Sequence, residues 1–215
     1  MEKCTLIYHI THINNLSSIL RDKFLWSDAE RINRGYTPTN IAYEHIKQRR
    51  FTTPVPIGVG GTLANYVPFY FCKRSPMLCA IYKGGVTGTT ETQQNIIYLI
   101  SSAEKVIAQN QRPWCFTDGH AIEKLTLFYN NQAQLTNIDW KLIEDWHWNN
   151  TPADNDRIRR KQAEFLAYES FPLEWVDKIG VFGQEQKMAV ESILAKDSHS
   201  IPISIEKKWY YSTRG

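Results

Sequence analysis

An α+β fold is predicted from three features of the chain. Short runs of strand-forming residues recur along it, short amphipathic stretches lie between them, and the two do not alternate regularly as a parallel βαβ sheet would require. There are no repeats or low-complexity tracts. With 215 residues, 42% hydrophobic and 13% aromatic, the chain can bury a substantial core, and residues 1–215 are expected to form one domain.

Leu6-Ile-Tyr-His-Ile-Thr-His12 alternates in polarity and reads as a strand. Asn14 or Asn15 then caps a helix carrying Leu16, Ile19 and Leu20 at helical spacing. Residues 27–41, with Gly35 and Pro38, look irregular, and Ile41 to Arg50 suits a short helix. Gly58, Gly60 and Gly61 can adopt backbone angles closed to other residues, and they lead into the strand Val67-Pro-Phe-Tyr-Phe71. If Phe69 and Phe71 point into a core, alternation turns Tyr70 the other way, where it is either a half-buried strand aromatic or a platform for a planar ligand.

Met77 to Tyr82 reads as a helical turn or short helix, Val86 to Gln94 as a loop, Asn95 to Ser101 as a buried strand and Ala103 to Gln109 as a short helix. Trp114-Cys-Phe116 is a short strand, and Ile122 to Tyr129 looks helical. The tryptophan-bearing stretch between Asn130 and Asp156 has little periodicity and the length of a functional loop with short helical pieces. Gln162 to Tyr168 and Val176 to Phe182 read as strands separated by a turn at Pro172. A helix from Gln184 to Lys196 and a strand from Ile201 to Tyr211 close the chain.

No stretch approaches the roughly 18 apolar residues of a membrane span, and the first residues lack the apolar centre of a signal peptide, so a cytoplasmic protein with no membrane partner is expected. Cys4, Cys72, Cys79 and Cys115 are scattered without a Cys-x-x-Cys pair and read as reduced core thiols, with no metal site. A formal charge of +3 does not by itself imply a nucleic-acid partner. The basic residues do cluster, at Lys47/Arg49/Arg50, Lys73/Arg74 and Arg157/Arg159/Arg160/Lys161. Each cluster is either a solvated face or, beside Tyr70, Trp146 and Trp148, a set of phosphate and stacking contacts.

The glycine turn at residues 58–62 lacks the Lys-Ser/Thr ending of a P-loop and the spacing of a dinucleotide fingerprint. His9 and His12 fall on opposite faces of a strand, which disfavours a shared metal. Neither a Gly-x-Ser-x-Gly elbow nor a Cys-His pair suggests a covalent nucleophile. Glu164 stands out, being a lone carboxylate in the apolar segment Ala163-Glu-Phe-Leu-Ala-Tyr168, and costly there unless it meets solvent, a partner or a ligand. Alternation leaves open whether its face or that of Phe165 is the buried one.

Taken together, several ordered motifs resemble the DarT toxins. They are Tyr8-His-Ile-Thr-His12 with Asn15-Leu and Ile19-Leu, Ile41-Ala-Tyr with His45 and Arg49-Arg50, the Gly-Gly-x-Leu-x-x-Tyr-Val-Pro-Phe-Tyr-Phe-x-x-x-Ser-Pro-Met run from Gly60 to Met77, Phe116-Thr-Asp with His120, and Gln162-Ala-Glu164. DarT toxins are NAD-dependent ADP-ribosyltransferases that modify bases in single-stranded DNA. The resemblance spans nearly the whole chain, and its Val-Pro-Phe-Tyr-Phe and Ser-Pro-Met signature looks like the thymidine-modifying branch.

The resemblance implies an ADP-ribosyltransferase fold, a split and mostly antiparallel β core whose cleft binds NAD as co-substrate without a metal. His9 and the backbone of Ile10 and Thr11 are then expected to hold NAD, Tyr70 to stack under the nicotinamide, and Ser18 and Trp26 to fall at cofactor-contacting positions. Glu164 matches the catalytic glutamate. Arg50 matches the arginine needed for turnover, with an expected grip on the NAD phosphates. The stretch from His120 to Glu164 corresponds to the acceptor-recognising loop, with Arg74, Met77, His120, Trp146, Trp148 and Arg159 as DNA-binding candidates. The same resemblance implies a monomer working against a DarG-like macrodomain antitoxin. Two other readings of the residues stay open at this point: a transferase acting on protein or RNA, and a non-catalytic single-strand-binding module.

Overall fold

In a computed structural model, which describes residues 4–85, 92–196 and 198–212, the chain folds around one eight-stranded sheet. Its elements are β1 (Leu6–His12), α1 (Leu16–Asp22), β2 (Phe24–Trp26), α2 (Asp28–Asn33), α3 (Glu44–Thr52), β3 (Tyr66–Tyr70) and α4 (Pro76–Tyr82). There follow β4 (Ile96–Ser102), α5 (Ala103–Gln109), β5 (Trp114–Thr117), β6 (Phe128–Tyr129), α6 (Trp140–Glu144) and α7 (Arg157–Lys161). The last are β7 (Glu164–Tyr168), β8 (Ser170–Pro172), β9 (Lys178–Val181), α8 (Gln184–Lys196) and β10 (Ile203–Ile205). The sheet order is β10-β9-β4-β1-β3-β7-β5-β6, and β2 pairs with β8 in a separate ribbon. Every pairing is antiparallel except that of β9 with β10.

The sheet is split at its centre. β1 matches β4 along seven residue pairs and β3 matches β7 along five, yet β1 and β3 meet at the single pair Tyr8–Tyr70. Alternation then sorts the side chains. Phe69, Phe71, Phe165 and Phe116 enter the main core on one face, while Tyr8 and Tyr70 lie on the other. Both faces of β7 are covered, so Glu164 through Ala167 are all buried, which answers the question the pattern left open.

The glycine turn acts as expected of a turn. Gly61 has φ +78°, and a Cβ there would lie 2.8 Å from Asn65 Oδ1. That oxygen accepts the Thr62 N–H at 2.8 Å, so the donor a phosphate cradle would need is occupied within the turn.

Several elements depart from the sequence reading. Residues 27–41 include α2, whose N-cap Ser27 accepts the Glu30 N–H through its hydroxyl; the Ser-x-x-Glu spacing announces this start despite the later Gly35 and Pro38. Ile122 to Tyr129 is not a helix but a pair of turns, Glu123 N–H to His120 O and Thr126 N–H to Glu123 O, followed by β6. Leu125 and Leu127 are exposed there, so no apolar face holds a helix down. The closing strand is only Ile203–Ile205, because a 3-10 turn at Lys207–Trp209 lays Trp209 against Tyr8 and Tyr98. Cys4 is exposed, its thiol donating to Glu104 at 3.6 Å, whereas Cys72, Cys79 and Cys115 are buried. The predicted loop from Val86 to Gln94 falls largely outside the described residues. Among the described residues no helix is long and apolar enough to cross a membrane.

The 130–156 stretch is anchored by a buried lysine. Lys161 is 1% exposed, and its ammonium donates to the carbonyls of Leu142, Ile143 and Asp145 at 3.1, 2.7 and 2.7 Å, capping the C-terminal end of α6. Replacing Lys161 by Met would strand these acceptors; urea unfolding should show a stability loss of about 2–4 kcal/mol with little change in slope.

Candidate active site

Glu164 is the first residue of β7, directly opposite Tyr70 in the β3–β7 register. Only 3% exposed, it has both carboxylate oxygens engaged: Oε2 accepts from Arg50 Nη1 at 2.9 Å and Oε1 from the Ala121 N–H at 3.1 Å. Its own N–H donates to Thr117 Oγ1 at 3.0 Å, and that hydroxyl donates to the Gly119 carbonyl at 2.7 Å. Thus Thr117-Asp-Gly119 shapes the turn that presents the Ala121 amide. Arg50, 7% exposed, comes from the last turn of α3, and the adjacent Arg49 donates to the Ile122 carbonyl at 2.9 Å, fastening the same turn.

Tyr70 packs against both the main core cluster and the cluster around Tyr8 and Tyr98, and burial beside Glu164 pushes its phenol pKa well above the usual range, so it is a neutral ring at any working pH. His120 is held at the edge of this group by its backbone N–H to the Arg159 carbonyl at 2.9 Å. Burial lowers its pKa and the nearby arginines add to this, against the opposing pull of Glu164.

His9, on β1, reaches across the split. Its Nδ1 lies 2.8 Å from the Pro68 carbonyl, which can only accept, so Nδ1 carries the hydrogen and Nε2 is left as an acceptor. Burial pushes the His9 pKa down to about 4, against the raising effect of that hydrogen bond, so the ring is neutral near pH 7. His9 also lines a cleft of ≈ 310 Å³ together with Thr11, Asn15, Ser18, Trp26 and Arg31. Trp26 offers a flat ring with the Arg34 guanidinium 3.6 Å from its centroid.

α2 adds charges that sequence reasoning missed. Asp28 pairs with Arg31 beside His9, and although burial works to raise the Asp28 carboxyl pKa, the charges of Arg31, Lys47 and Arg50 hold it below its usual value. The Ser-x-x-Glu start of α2 was the available signal, Thr117 was marked only as part of the Phe116-Thr-Asp motif, and the Ala121 main-chain amide left none.

The predicted acceptor residues separate into two groups. Arg74 lies 4.3 Å from the ring centroids of both Trp146 and Tyr211, and Trp148 Nε1 donates to Tyr211 Oη at 3.1 Å, so these side chains form one assembly. Met77 is half-buried on α4, against the cluster that holds Tyr8 and Tyr98. Arg159, by contrast, faces inward: it pairs with Asp118 at 2.9 Å and Asp156 at 2.7 Å and covers Gly119. Arg157 pairs with Asp145, Arg160 with Asp139 and Asp154, and Lys161 is buried, so the 157–161 cluster is a structural brace rather than a free phosphate track. Among the described residues no group of three or more His, Cys, Asp and Glu could hold a metal.

A central sheet split between β1 and β3, with a buried glutamate and a tyrosine facing each other beside the split, defines an ADP-ribosyltransferase fold. Residues 8–211 match the family model described as DarT, ssDNA thymidine ADP-ribosyltransferase. A DNA ADP-ribosyl transferase from Thermus aquaticus is 42% identical over 212 residues, covering 98% of this chain and 90% of that protein. Among solved structures, Thermus sp. 2.9 DarT in complex with ADP-ribosylated ssDNA superposes with a TM-score of 0.89 at 37% identity, covering 98% of this chain and 100% of that one. The same protein in complex with NAD+ superposes at 0.85 with 35% identity, covering 97% of this chain and 98% of that one. The chain belongs to the DarT family.

Two measurements test the site's electrostatics. Because the folded-state pKa of His9 lies below its unfolded value, the unfolded chain binds the extra proton first as pH falls. Stability should therefore drop by roughly 1–3 kcal/mol between about pH 6.5 and pH 4, and His9→Gln should remove that part of the slope in pH-dependent urea unfolding. Arg50→Ala leaves a buried carboxylate without its cation and should cost about 3–5 kcal/mol, part of which Arg50→Ala/Glu164→Gln should restore in a double-mutant cycle.

Proposed function

We propose that this protein transfers ADP-ribose from NAD to thymidine in single-stranded DNA, with Glu164 as the catalytic residue. The observation that carries the reading is the buried Glu164, held at both oxygens and facing the Tyr70 ring across one strand pair. NAD fits the residues present: the cleft at His9 is within the size range of ligand sites and combines a flat ring, hydroxyls and an arginine. His9 Nε2 accepts a ribose hydroxyl, the Ile10 and Thr11 backbone and the Ser18 side chain line the dinucleotide, and Trp26 supplies an aromatic wall. Tyr70 stacks beneath the nicotinamide.

Breaking the bond between nicotinamide and ribose develops positive charge at the ribose carbon, and the Glu164 carboxylate stabilises that charge as it forms. Nicotinamide leaves with the bonding electrons. The thymine ring nitrogen then bonds to the same carbon and loses its proton, for which Glu164 is the general base. Arg50 fixes the carboxylate, and its remaining N–H groups serve the NAD phosphates and the base carbonyl. The target base must be unpaired, because its reacting edge is hidden in a duplex. Arg74, Met77, His120, Trp146 and Trp148 position the strand. The protein works in the cytoplasm as a monomeric toxin, countered by a DarG-like macrodomain antitoxin.

Mass analysis of thymine-containing oligonucleotides incubated with NAD should show addition of one ADP-ribose. Glu164→Gln should reduce transfer at least about a thousandfold, as loss of an electrostatic and proton-transfer group does, while NAD binding remains measurable by calorimetry. Retained transfer would remove Glu164 from the role.

A further inference from the structure

Asn15 stands at the start of α1, after a 3-10 turn spanning Ile13–Asn15, where an asparagine side chain ordinarily bonds to a main-chain amide of the helix. Here it makes no such bond. His12 serves the turn instead, its Nδ1 accepting the Asn14 N–H at 3.1 Å. The Asn15 side chain, in a residue only 8% exposed, is engaged away from the helix. Its Oδ1 accepts the Thr39 N–H at 2.8 Å, while Nδ2 donates to the Thr39 carbonyl at 3.0 Å and to Thr11 Oγ1 at 3.0 Å. Thr39 thereby fixes which end of the amide is oxygen and which nitrogen, because its N–H can only donate and its carbonyl only accept. Asn15 holds Thr39 as one strand residue holds its hydrogen-bonded partner across an antiparallel pair.

Little else holds that segment. Tyr36, Thr37, Pro38 and Thr39 form one wall of the ≈ 310 Å³ cleft at His9. The Tyr36 N–H donates to the Arg31 carbonyl at 2.8 Å on one side, and on the other the Asn40 side chain closes a local turn on Ala42. Among the described residues, the main chain of Thr37 to Thr39 makes no hydrogen bond except those to Asn15. Two further walls converge on the same residue. Ser18 donates its hydroxyl to the Asn15 carbonyl at 2.8 Å, and Thr11 Oγ1 accepts from the Asn15 amide, which leaves the Thr11 hydroxyl hydrogen for an acceptor in the cleft.

We propose that Asn15 is a positioning residue for NAD, which pins residues 36–39 as the outer wall of the cleft and sets the Thr11 hydroxyl as a donor to the dinucleotide. This deepens the function proposed above and rests on its NAD reading. Asn15→Asp keeps the size of the side chain and an acceptor for the Thr39 N–H, but it loses both donations and draws the Thr11 hydrogen toward its own carboxylate. Asn15→Ala removes the side-chain bonds altogether. In calorimetry with NAD alone, each variant should raise Kd about tenfold, the cost of the lost hydrogen bonds. KM for NAD should rise alike, while kcat at saturating NAD and KM for the oligonucleotide stay within about twofold of the unaltered chain.

Hydrogen exchange gives a readout that a general loss of stability would not. In Asn15→Ala the 36–39 segment should exchange at least about tenfold faster relative to β4, and in the unaltered chain NAD should slow that segment. Unchanged NAD affinity in both variants, or an acceleration shared equally by β4, overturns the positioning role. If neither variant folds, the unaltered chain decides: a 36–39 segment that exchanges like open chain with and without NAD overturns the proposal, and protection that NAD strengthens supports it. Affinity and exchange need neither DNA nor transfer. A chain that meets these expectations yet modifies no thymidine overturns the transfer reading alone, whereas an unaltered chain that binds no NAD overturns both.

Discussion

The buried contact between Arg50 and Glu164 is the constraint around which the site is organised. A carboxylate and a guanidinium taken out of water cost several kcal/mol each, and their attraction offsets this only when geometry and further hydrogen bonds are good. Both conditions shape the surroundings. α3 must end with Arg50 pointing inward, the turn after β5 must offer the Ala121 amide, and Thr117 must bind the Glu164 N–H to keep that turn in place. The Arg49 bond to the Ile122 carbonyl and the Arg159 pairs with Asp118 and Asp156 repeat the logic one layer out. A cluster of arginines that reads as a nucleic-acid surface is thereby turned to fastening a loop, its charges met by aspartates of that loop and by Asp118 of the turn after β5.

The sheet's split complements this rigidity. Strands joined by five or seven residue pairs form two stiff halves, and the lone Tyr8–Tyr70 pair leaves side chains to span the gap. His9 spans it with a bond to a carbonyl, which also decides which nitrogen faces the cleft. Burial then keeps the ring uncharged, so it presents an acceptor nitrogen and adds no positive charge to the cleft it lines.

Much of the fold was legible because periodicity survives wherever one face is buried. β1, α1, α4, β4, α5, β5 and α8 all follow their patterns. Reading failed where local chemistry competes with composition. The capping serine of α2 was hidden by a later glycine and proline, the 122–129 segment has helix-forming residues but nothing to pack against, and the C-terminal run turns at Lys207 to seat Trp209. Within the site, Tyr70 lies on the face that alternation assigns it, and Glu164 was visible as an isolated charge among apolar neighbours. Its partners were not, since Arg50 lies 114 residues earlier and the Ala121 contribution is a main-chain amide that any residue could supply. Arg159 shows the converse: a basic run specifies charge but not direction, and only the aspartates around it decide that it points inward.

The double anchoring of Glu164 also sets how substrate can meet it. A carboxylate has about four acceptor positions, and Arg50 and Ala121 fill two of them. A ribose hydroxyl can therefore occupy a vacant lone pair without displacing either anchor. In the reaction proposed above, a substrate hydroxyl would add a third hydrogen bond to a carboxylate that its two anchors already hold in position.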